Sequence, residues 1–439
     1  MTSASPIYAL GIDFGTSGAR AIAIDTQQHI QATAKISFAA SASALAQQWQ
    51  ETLWALLADI PLPIRQRLGA IALNGTSATV LLCDAQGRVI REPLLYNAAQ
   101  GQAVGSAMAQ IAPANHVVQS ATSSLSKLLW WCQGNPQQPP AEAQYLLHQA
   151  DWLSFLLHGR LGVSDYHNAL KLGYDVAALA YPNWLTSLPL ATLLPDVRAP
   201  GSPIAPVLPA IAQRFKLPVA CRVCAGTTDS IAAFLASGAQ QPGTAVTSIG
   251  STLVLKLLSQ RRVEASQYGI YSHRLGDRWL VGGASNTGGA VLAQFFSESQ
   301  LAQLSQSLQP DRPTHLNYYP LPQPGERFPI NDPQLPPRLT PRPPEAAVFL
   351  QGLLEGMATI EAQGYARLVS LGASSLKQVY TAGGGAHNQA WTAIRARQLQ
   401  VPVAPSVQTE AAYGSALLAL PNLPTSDGVS RGSDGSADT

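Results

Sequence analysis

Alternation of apolar and polar positions near the start of the chain predicts an antiparallel meander of strands. Three strand-like segments occupy residues 7–12, 19–25 and 30–36, and short polar turns separate them. Apolar residues at helical spacing follow over 45–58. Shorter strands are then predicted at 71–73 and 79–83, before a region, residues 98–200, that is predicted to be mostly helical.

The second half of the chain repeats this plan. A strand, a small-residue turn and a second strand occupy residues 245–256. Later segments predict a helix, a strand, a glycine cluster and two more helices, at 344–372, 378–381, 382–386, 388–399 and 410–420. The recurrence predicts two α/β lobes related by an old duplication. The predicted boundaries are 1–238, 239–421 and a polar tail, 422–439, which we expect to be disordered.

Composition agrees with two lobes and excludes some partners. A chain of 439 residues is too long for one core, and 46% hydrophobic residues can fill two. The net charge is only +2, without a run of Lys or Arg, which argues against nucleic acid or anionic membrane as a partner. The start of the chain has no basic signal, and no apolar stretch reaches the ~20 residues of a membrane span. We therefore expect a cytoplasmic protein.

Three other features favour structural interpretations. Cys221 and Cys224 lie on a predicted strand, where positions i and i+3 face opposite sides, so buried free thiols are expected. His167, beside Tyr166 and Asn168, is interpreted as a structural hydrogen-bonding residue. The Pro-rich stretch 313–344 is typical of a long surface loop, and a place at the edge of a cleft stays open.

Asp13 is the first candidate for chemistry, because it ends a strand and precedes a small-residue turn containing Thr16 and Ser17. Backbone N–H groups in such a turn can point at a phosphate. The carboxylate can hold Mg²⁺ through water, because Mg²⁺ keeps much of its hydration. An ordinary hairpin turn is the alternative, and the similar turn at 250–252 favours the phosphate site.

Asp229 is the second candidate, at the start of an apolar helix and after another strand. A helix cap is the simple interpretation, and it is compatible with catalysis. A carboxylate at a helix N-terminus stays ionised, which suits a base that accepts a proton from a hydroxyl. One carboxylate near a metal and one acting as base are what phosphoryl transfer to a hydroxyl needs.

The glycine cluster 383–385, followed by Asn388 and a helix, has the composition of a nucleotide cradle. Flat contact with a base or ribose requires backbone without side chains. The amide of Asn388 offers both a donor and an acceptor. A flexible turn is the alternative for three glycines taken alone.

Taken together, these motifs resemble those of the FGGY carbohydrate kinases, in the actin/hexokinase/Hsp70 superfamily. The resemblance covers nearly the whole chain, through residues 13–17, 225–230, 250–252 and 382–388 in this order. It implies two ribonuclease-H-like lobes with a cleft between them that closes on its substrates. Sugar would bind mainly to the first lobe and ATP to the second.

The resemblance also implies roles for particular residues. Asp229 would be the general base for the primary hydroxyl of a sugar, and Asp13 would lie near Mg²⁺ and the transferred phosphoryl group. Residues with ATP-binding roles would be Thr16, Ser17, Gly18, Ala19 and Arg20 in the first motif, and Gly250, Ser251, Thr252, Gly384, Gly385 and Asn388 in the second lobe.

Departures from the family pattern indicate the acceptor. Many xylulokinases have a Gln-His pair within the segment that is 74–79 here, and a Trp-Asn/Asp-x-Arg run at 95–98. Small residues replace both, as in the compact cyanobacterial and plant pentulose kinases, the D-ribulose kinase group once called xylulose kinases. D-ribulose is therefore the predicted acceptor, with Asp13, Ser77 and Asp229 as contacts.

Other functions remain open at this point. D-xylulose is the alternative acceptor. From a different class, the chain could be an ATP-driven switch or a sugar sensor of the same superfamily. Sugar and ATP are the expected partners, and the protein is expected to be a monomer or a homodimer.

Overall fold

The computed structural model describes residues 7–38 and 44–422, apart from the side chain of His387. These residues form two compact units. The first contains the described residues up to Ala114, from Val118 to Ala233, and from Glu410 onward, and the second contains Asn115–Val117 and Phe234–Thr409. Of the predicted polar tail, 422–439, Asn422 is described and the rest lies outside the described residues.

The first unit is built on a mixed six-stranded sheet in the order β3-β2-β1-β4-β10-β9. Strands β1 to β3 form the predicted antiparallel meander, and β1, β4 and β10 run parallel to one another. The carboxyl ends of these parallel strands therefore meet at one edge. The strands of this unit are β1 (Tyr8–Phe14), β2 (Gly18–Ile24), β3 (Ile30–Ser37), β4 (Leu68–Gly75), β5 (Val80–Cys83), β6 (Tyr145–His148), β7 (Val163–Asp165), β8 (Asp196–Arg198), β9 (Pro203–Pro206) and β10 (Arg222–Thr228).

Helices cover the apolar sheet and complete the core of the first unit. Buried residues of the first and fifth helices, such as Trp49, Leu53 and Leu153, pack against the alternate residues of β1 and β4. The helices up to the unit boundary are α1 (Leu45–Asp59), α2 (Leu62–Arg65), α3 (Gly105–Ile111), α4 (Ser124–Trp131), α5 (Gln149–His158), α6 (Tyr166–Ala169), α7 (Asn183–Thr186), α8 (Pro209–Phe215) and α9 (Asp229–Ala236).

The second unit repeats the sheet plan of the first. Its order is β13-β14-β12-β11-β15-β16, with antiparallel pairs up to β11 and parallel pairs beyond it. Residues of α12 and α13 pack on the sheet to form its core. The elements are β11 (Thr244–Ile249), β12 (Leu253–Ser259), β13 (Tyr271–Leu275), β14 (Arg278–Ser285), α10 (Gly289–Leu292), α11 (Glu298–Ser305), α12 (Ala346–Ser370), β15 (Gln378–Ala382), α13 (Gln389–Leu399) and β16 (Val403–Pro405).

The last helix, α14 (Ala411–Ala419), belongs to the first unit, although the sequence analysis assigned it to the second lobe. It packs closely on β1, where a Cβ at Gly11 would lie 1.9 Å from the carbonyl oxygen of Ala412. Only glycine permits this approach of helix to strand. Local sequence patterns do not predict this contact, because about 400 residues separate α14 from β1.

Two regions differ from the sequence prediction. The region 98–200 contains the short strands β6, β7 and β8 besides its helices. The Pro-rich stretch is not a simple surface loop, because Phe328 is fully buried and lies against Gly283. The carboxylate of Glu326 also accepts a hydrogen bond from Ser285 Oγ. Along the described ranges, no helix has both the length and the apolarity needed to cross a membrane.

Candidate active site

The parallel strands of the first unit bring the predicted chemical groups to one sheet edge. Asp13, next to the end of β1, lies opposite Arg20 on β2 and Asn74 on β4. Asn74 in turn lies opposite Thr227 on β10, and Asp229 follows two residues later. The two carboxylates named by the sequence therefore belong to the carboxyl ends of β1 and β10, the two strands that flank β4.

Asp13 is in an unusual electrostatic environment. Burial raises the pKa of its carboxyl group to about 7, and the charge of Asp229 acts in the same direction. Arg20 acts in the opposite direction and offsets part of this effect. Asp13 Oδ1 is buried and has no hydrogen-bond partner among the residues that the structure describes. A buried carboxylate oxygen in this condition is suited to a cation or to a bound water.

Asp229 is positioned by the end of β10. The helix α9 begins at Asp229 directly after the strand ends at Thr228, and Asp229 Oδ1 accepts a hydrogen bond of 2.7 Å from the backbone N–H of Ser230. The register of β10 on β4 shifts between Cys224 and Thr227. Such an irregularity redirects the residues that follow it. It occurs at Gly226, where a Cβ would lie 2.3 Å from a backbone oxygen of β4.

The predicted phosphate turn forms between β1 and β2. Its backbone closes through a 3.0 Å bond from Gly15 N–H to the carbonyl of Gly18, and Thr16 and Ser17 are exposed. Ala19 is buried on β2, where it is the register partner of Phe14 on β1 and of Ile36 on β3. Arg20 forms an ion pair with Glu410, the residue before α14.

A cavity of about 380 Å³ lies beside this turn. Its polar walls come from the phosphate turn, the loop after β4 and the start of α5, and its apolar walls come largely from α1 and the loop that contains Tyr96. The described residues that line it are Gly15, Thr16, Ser17, Phe38, Leu45, Gln48, Trp49, Thr76, Leu95, Tyr96 and Gln149.

The loop after β4 is held by an internal network. Gln149 Oε1 accepts hydrogen bonds from the backbone N–H of Thr76, at 3.0 Å, and from its hydroxyl, at 3.2 Å. The hydroxyls of Thr76 and Thr79 lie 2.6 Å apart. Ser77, the predicted sugar contact, is half-buried within this turn, next to Thr76 of the cavity wall, and is not itself among the lining residues.

Sequence reasoning did not identify Gln48, Trp49 or Gln149 as site residues. Trp49 was assigned to the apolar face of a helix, and it is indeed buried in the core while also lining the cavity. Gln149 is the first residue of α5, 73 positions after Thr76. A glutamine at a helix start carries no local signal of a site, so only the fold identifies it.

The second unit has its own cavity, of about 840 Å³. Of the predicted ATP-binding residues in this unit, Gly250, Gly384, Gly385 and Asn388 line it, and Ser251 and Thr252 do not. Much of the remaining wall is apolar and comes from α10 to α13. The other lining residues are Ile249, Gly289, Leu292, Ala293, Phe296, Glu298, Leu301, Ala302, Ser305, Gln306, Leu350, Leu354, Gln389, Ala390 and Trp391.

Two details refine the predicted roles in this cavity. Asn388 caps α13, where its Oδ1 accepts a 3.0 Å bond from the N–H of Trp391, and its Nδ2 donates to Ser305 Oγ at 2.9 Å. Both ends of the amide are therefore engaged within the protein. The turn after β11 is also held, because the carbonyl of Gly250 accepts a 2.8 Å bond from the N–H of Gly289.

His167 has the structural contact that its sequence context indicated. Its buried Nδ1 lies 2.7 Å from the hydroxyl of Thr227 on β10. Asp165 caps α6 and accepts hydrogen bonds from the backbone N–H groups of His167 and Asn168. The four cysteines are also buried, as predicted for Cys221 and Cys224. Across the described part of the chain, no cluster of three or more His, Cys, Asp or Glu side chains could hold a metal ion.

Comparison with protein-family models defines the class of the molecule. Residues 8–236 match the N-terminal domain of the FGGY family of carbohydrate kinases, and residues 245–422 match its C-terminal domain. The chain therefore belongs to the FGGY family of carbohydrate kinases, and it is a sugar kinase of that family.

Solved structures confirm the fold. A xyloylose kinase from Brucella ovis matches with a TM-score of 0.80 and 23% identity, over 94% of this chain and 90% of its own. A gluconate kinase from Lactobacillus acidophilus matches with a TM-score of 0.79 and 15% identity, over 95% and 89%. Plasmodium falciparum glycerol kinase with ADP matches with a TM-score of 0.80 and 16% identity, over 95% and 90%. The three names specify three acceptors, so this likeness defines the fold and leaves the acceptor to the site.

Proposed function

We propose that the chain transfers the γ-phosphoryl group of ATP to the primary C5 hydroxyl of D-ribulose and forms D-ribulose 5-phosphate. The observation that carries this proposal is the placement of Asp13 and Asp229 at the carboxyl ends of β1 and β10, on either side of β4 in the first unit. Burial raises the pKa of the Asp13 carboxyl group and the charge of Asp229 raises it further, so the two groups lie within electrostatic reach of each other.

In this mechanism, Asp229 accepts the proton of the acceptor hydroxyl. The acceptor oxygen then forms a bond to the γ-phosphorus, the bond to the β–γ bridging oxygen breaks, and ADP leaves. Asp229 is half-buried at the start of α9, with one carboxylate oxygen fixed by the N–H of Ser230. The exposed Thr16 and Ser17 orient the γ-phosphate from the turn that follows Asp13.

Magnesium fits the first unit at Asp13. The buried Oδ1, which has no hydrogen-bond partner among the described residues, is a hard oxygen ligand, and burial together with the charge of Asp229 raises the pKa of the carboxyl group. A bound Mg²⁺ would neutralise charge on the phosphates. Asp13 would hold it directly or through water, and waters and phosphate oxygens would supply its other ligands.

The cavity of the first unit favours a neutral acceptor. Its described lining residues include no Lys, Arg or His, and Asp13 and Asp229 make the adjacent edge acidic. A sugar acid would be repelled there, whereas hydroxyls can bind the amides of Gln48 and Gln149 and the hydroxyl of Thr76. Its volume of about 380 Å³ is within the range of small-molecule sites.

The same cavity supports a pentulose other than D-xylulose. The two segments that depart from the xylulokinase pattern are 74–79 and 95–98, and both contribute to its wall, through Thr76, Leu95 and Tyr96. The departures at both segments therefore change the lining of the same cavity. D-ribulose and D-xylulose differ in configuration at one carbon, so a changed wall is a direct means of discrimination between them. Ser77, beside Thr76, is the proposed sugar contact.

The cavity of the second unit is the proposed site of the adenosine of ATP. Its apolar walls suit a base, and the backbone of Gly384 and Gly385 permits close approach. Because both ends of the Asn388 amide are engaged, this residue contributes mainly by holding the loop before α13.

The test is ADP release from Mg-ATP with D-ribulose, D-xylulose, L-ribulose, glycerol, gluconate or no acceptor. The Asp229→Asn variant is assayed in parallel, with Asp59→Asn as a control on an exposed carboxylate of α1. Strong stimulation by D-ribulose that the Asp229 variant loses by about 10²–10⁴-fold supports the acceptor and the base together. The control keeps full activity.

Preferential stimulation by D-xylulose would contradict D-ribulose as the acceptor and would leave the proposed kinase reaction unaffected. Stimulation by sugar that persists in Asp229→Asn would exclude Asp229 as the general base. Absence of stimulation by every sugar would favour an ATP-driven switch or sensor of the same fold.

A further inference from the structure

Lys127 on α4 is a fully buried lysine that joins two separate loops of the first unit. Its Nζ donates a hydrogen bond of 2.7 Å to the carbonyl of Ala78 and another of 2.6 Å to the carbonyl of Leu95. The two acceptors lie 17 residues apart in sequence, one after β4 and one after the bridge that pairs Leu94 with Val80. The ammonium group is thus a crosslink between backbones.

Both loops form walls of the 380 Å³ cavity, whereas Lys127 itself is not among the lining residues. The first loop contributes Thr76 and carries Ser77, and the second contributes Leu95 and Tyr96. A change in the separation of the two carbonyls would therefore change the width of the cavity. These are also the two loops in which the chain departs from the xylulokinase pattern.

The first loop needs such support. Ala78 has φ +62°, a left-handed conformation that residues with a Cβ adopt at a cost, and its backbone persists there only when its surroundings fix it. The turn bond from Thr79 N–H to the carbonyl of Thr76, at 3.1 Å, supplies part of this support. The Lys127 bond to Ala78 holds the strained residue itself.

A lysine at this position is expensive for the fold, because burial of a cation costs more than burial of an apolar side chain. Burial and the neighbouring cation Lys171 lower the pKa of Lys127 to about 7. The protonated and the neutral amine each have at least two N–H donors, so the crosslink is compatible with both states. A leucine or methionine would fill the space without crosslinking the loops.

We infer that Lys127 is a positioning residue that sets the width of the acceptor cavity by crosslinking the Ser77 loop to the Tyr96 loop. The assignment of this cavity to the acceptor rests on the proposed function. The crosslink itself is a property of the protein without substrate, so the two can be tested separately.

The first test is amide hydrogen exchange of the full chain without ligands, comparing wild type with Lys127→Met and Lys127→Gln. The wild type should protect the amides of Thr79, Val80, Leu94 and Ala98, which all donate to backbone carbonyls in these loops. In Lys127→Met, exchange should rise about tenfold or more in both loops together. The conservative Lys127→Gln should show an intermediate change.

Two controls separate this effect from general destabilisation. Leu129→Ala removes buried apolar volume from the same helix without touching either carbonyl, and Lys171→Met removes the neighbouring charge. Neither variant should selectively increase amide exchange in both loops. Unprotected loop amides in the wild type, or equal loosening by Leu129→Ala, would overturn the inference, and Lys127→Gln provides the comparison where Lys127→Met does not fold.

The second test uses kinetics with the acceptor that the wild type prefers. Lys127→Met should raise the KM for the sugar by about tenfold, with little change in kcat or in the KM for ATP. The effects of Lys127→Met and Ser77→Ala should be less than additive, because one acts through the other. An equal decrease in kcat with every acceptor would contradict a positioning role. Strictly additive effects of the two substitutions would contradict it as well. A wild type that no sugar stimulates would contradict the proposed function, and the exchange result would still decide the crosslink.

Discussion

The guanidinium group of Arg395 forms a two-point hydrogen bond with the carboxylate of Glu361 in the core of the second unit. Both contacts, Nε to Oε2 and Nη2 to Oε1, measure 2.7 Å, and each side chain is 1% exposed. Arg395 Nη1 also donates to the hydroxyl of Thr381 on β15, and Glu361 accepts from Thr247 on β11. Thr247 and Thr381 are register partners. The pair therefore joins two helices to the strands that precede Gly250 and Gly383.

Removal of one partner should be severely destabilising. Arg395→Met leaves the Glu361 carboxylate buried without its counter-ion, and we expect the free energy of unfolding to fall by about 3–5 kcal/mol. Urea unfolding at neutral pH measures this change. The double variant Arg395→Met/Glu361→Leu removes both charges and should recover much of the loss. A single variant within about 1 kcal/mol of wild type would show that the pair contributes little.

Local sequence patterns predict those features that depend on neighbours along the chain. Asp13 and Asp229 each follow a strand and precede a turn or helix, and these short-range signals identified the two carboxylates that the sheet brings to one edge. The meander of each unit was similarly predictable, because alternation and small-residue turns are local. Their assigned roles stay predictions.

Features that depend on packing between distant parts of the chain have no local sequence pattern that predicts them. Glu361 and Arg395 each look like an ordinary polar residue of an amphipathic helix, and their contact depends on how two helices cross. Gln149 and Lys127 reach the loops of the first cavity from helices distant in sequence. Phe328, within the Pro-rich stretch, is buried because it packs against Gly283. The composition of the stretch alone cannot predict this contact.

Asp165 should make the stability of the protein depend on pH. Complete burial, together with the charge of Asp151, raises the pKa of its carboxyl group to about 7. The folded state thus favours the protonated acid, and the unfolded chain, with a pKa of about 3.9, does not. The stabilisation that protonated Asp165 contributes is fully present below a pH of about 4 and is lost as the pH rises through about 7.

The variant Asp165→Asn tests this dependence. The new amide carries no charge. The buried Oδ1 of Asn168, which has no hydrogen-bond partner within the described ranges, can accept from it once the Asn168 amide rotates. Relative to wild type, the variant should gain stability progressively between about pH 4 and 7, by up to about 4 kcal/mol in all, of which about 3 kcal/mol arises between about pH 5 and 7. Urea unfolding at pH 5, 6, 7 and 8 measures it. A difference that stays constant with pH would refute the assignment.

Ser77→Ala tests the proposed sugar contact. The side chain is half-buried in the turn held by Thr76 and Gln149, and the loss of one hydroxyl should leave that turn folded. We expect the KM for D-ribulose to rise by about tenfold, with little change in kcat, because a ground-state contact is removed. Steady-state kinetics at varied sugar and varied ATP separates the two substrates. A change confined to the KM for ATP would exclude Ser77 as a sugar contact, and the exposed Ser120→Ala provides the control.

Two adjacent glycines offer a sharper test of the nucleotide site. A Cβ at Gly384 would have no atom within 4 Å, whereas a Cβ at Gly385 would lie 2.7 Å from Ile249 and 2.9 Å from Trp391. Gly384→Ala should therefore leave the melting temperature of the free protein unchanged. Gly385→Ala should lower it, because two side chains of the cavity wall must move.

Both substitutions should weaken ATP binding if adenosine lies against this backbone. For Gly384→Ala we expect the Kd of ATP to rise by about tenfold or more, since the added methyl group occupies the space where the ligand would approach. Calorimetric titration with ATP and thermal unfolding, each with both variants, separate the two effects. Unchanged ATP affinity in Gly384→Ala, with a folded and fully stable protein, would place the nucleotide elsewhere in the second unit's cavity and leave Gly384 a simple turn residue.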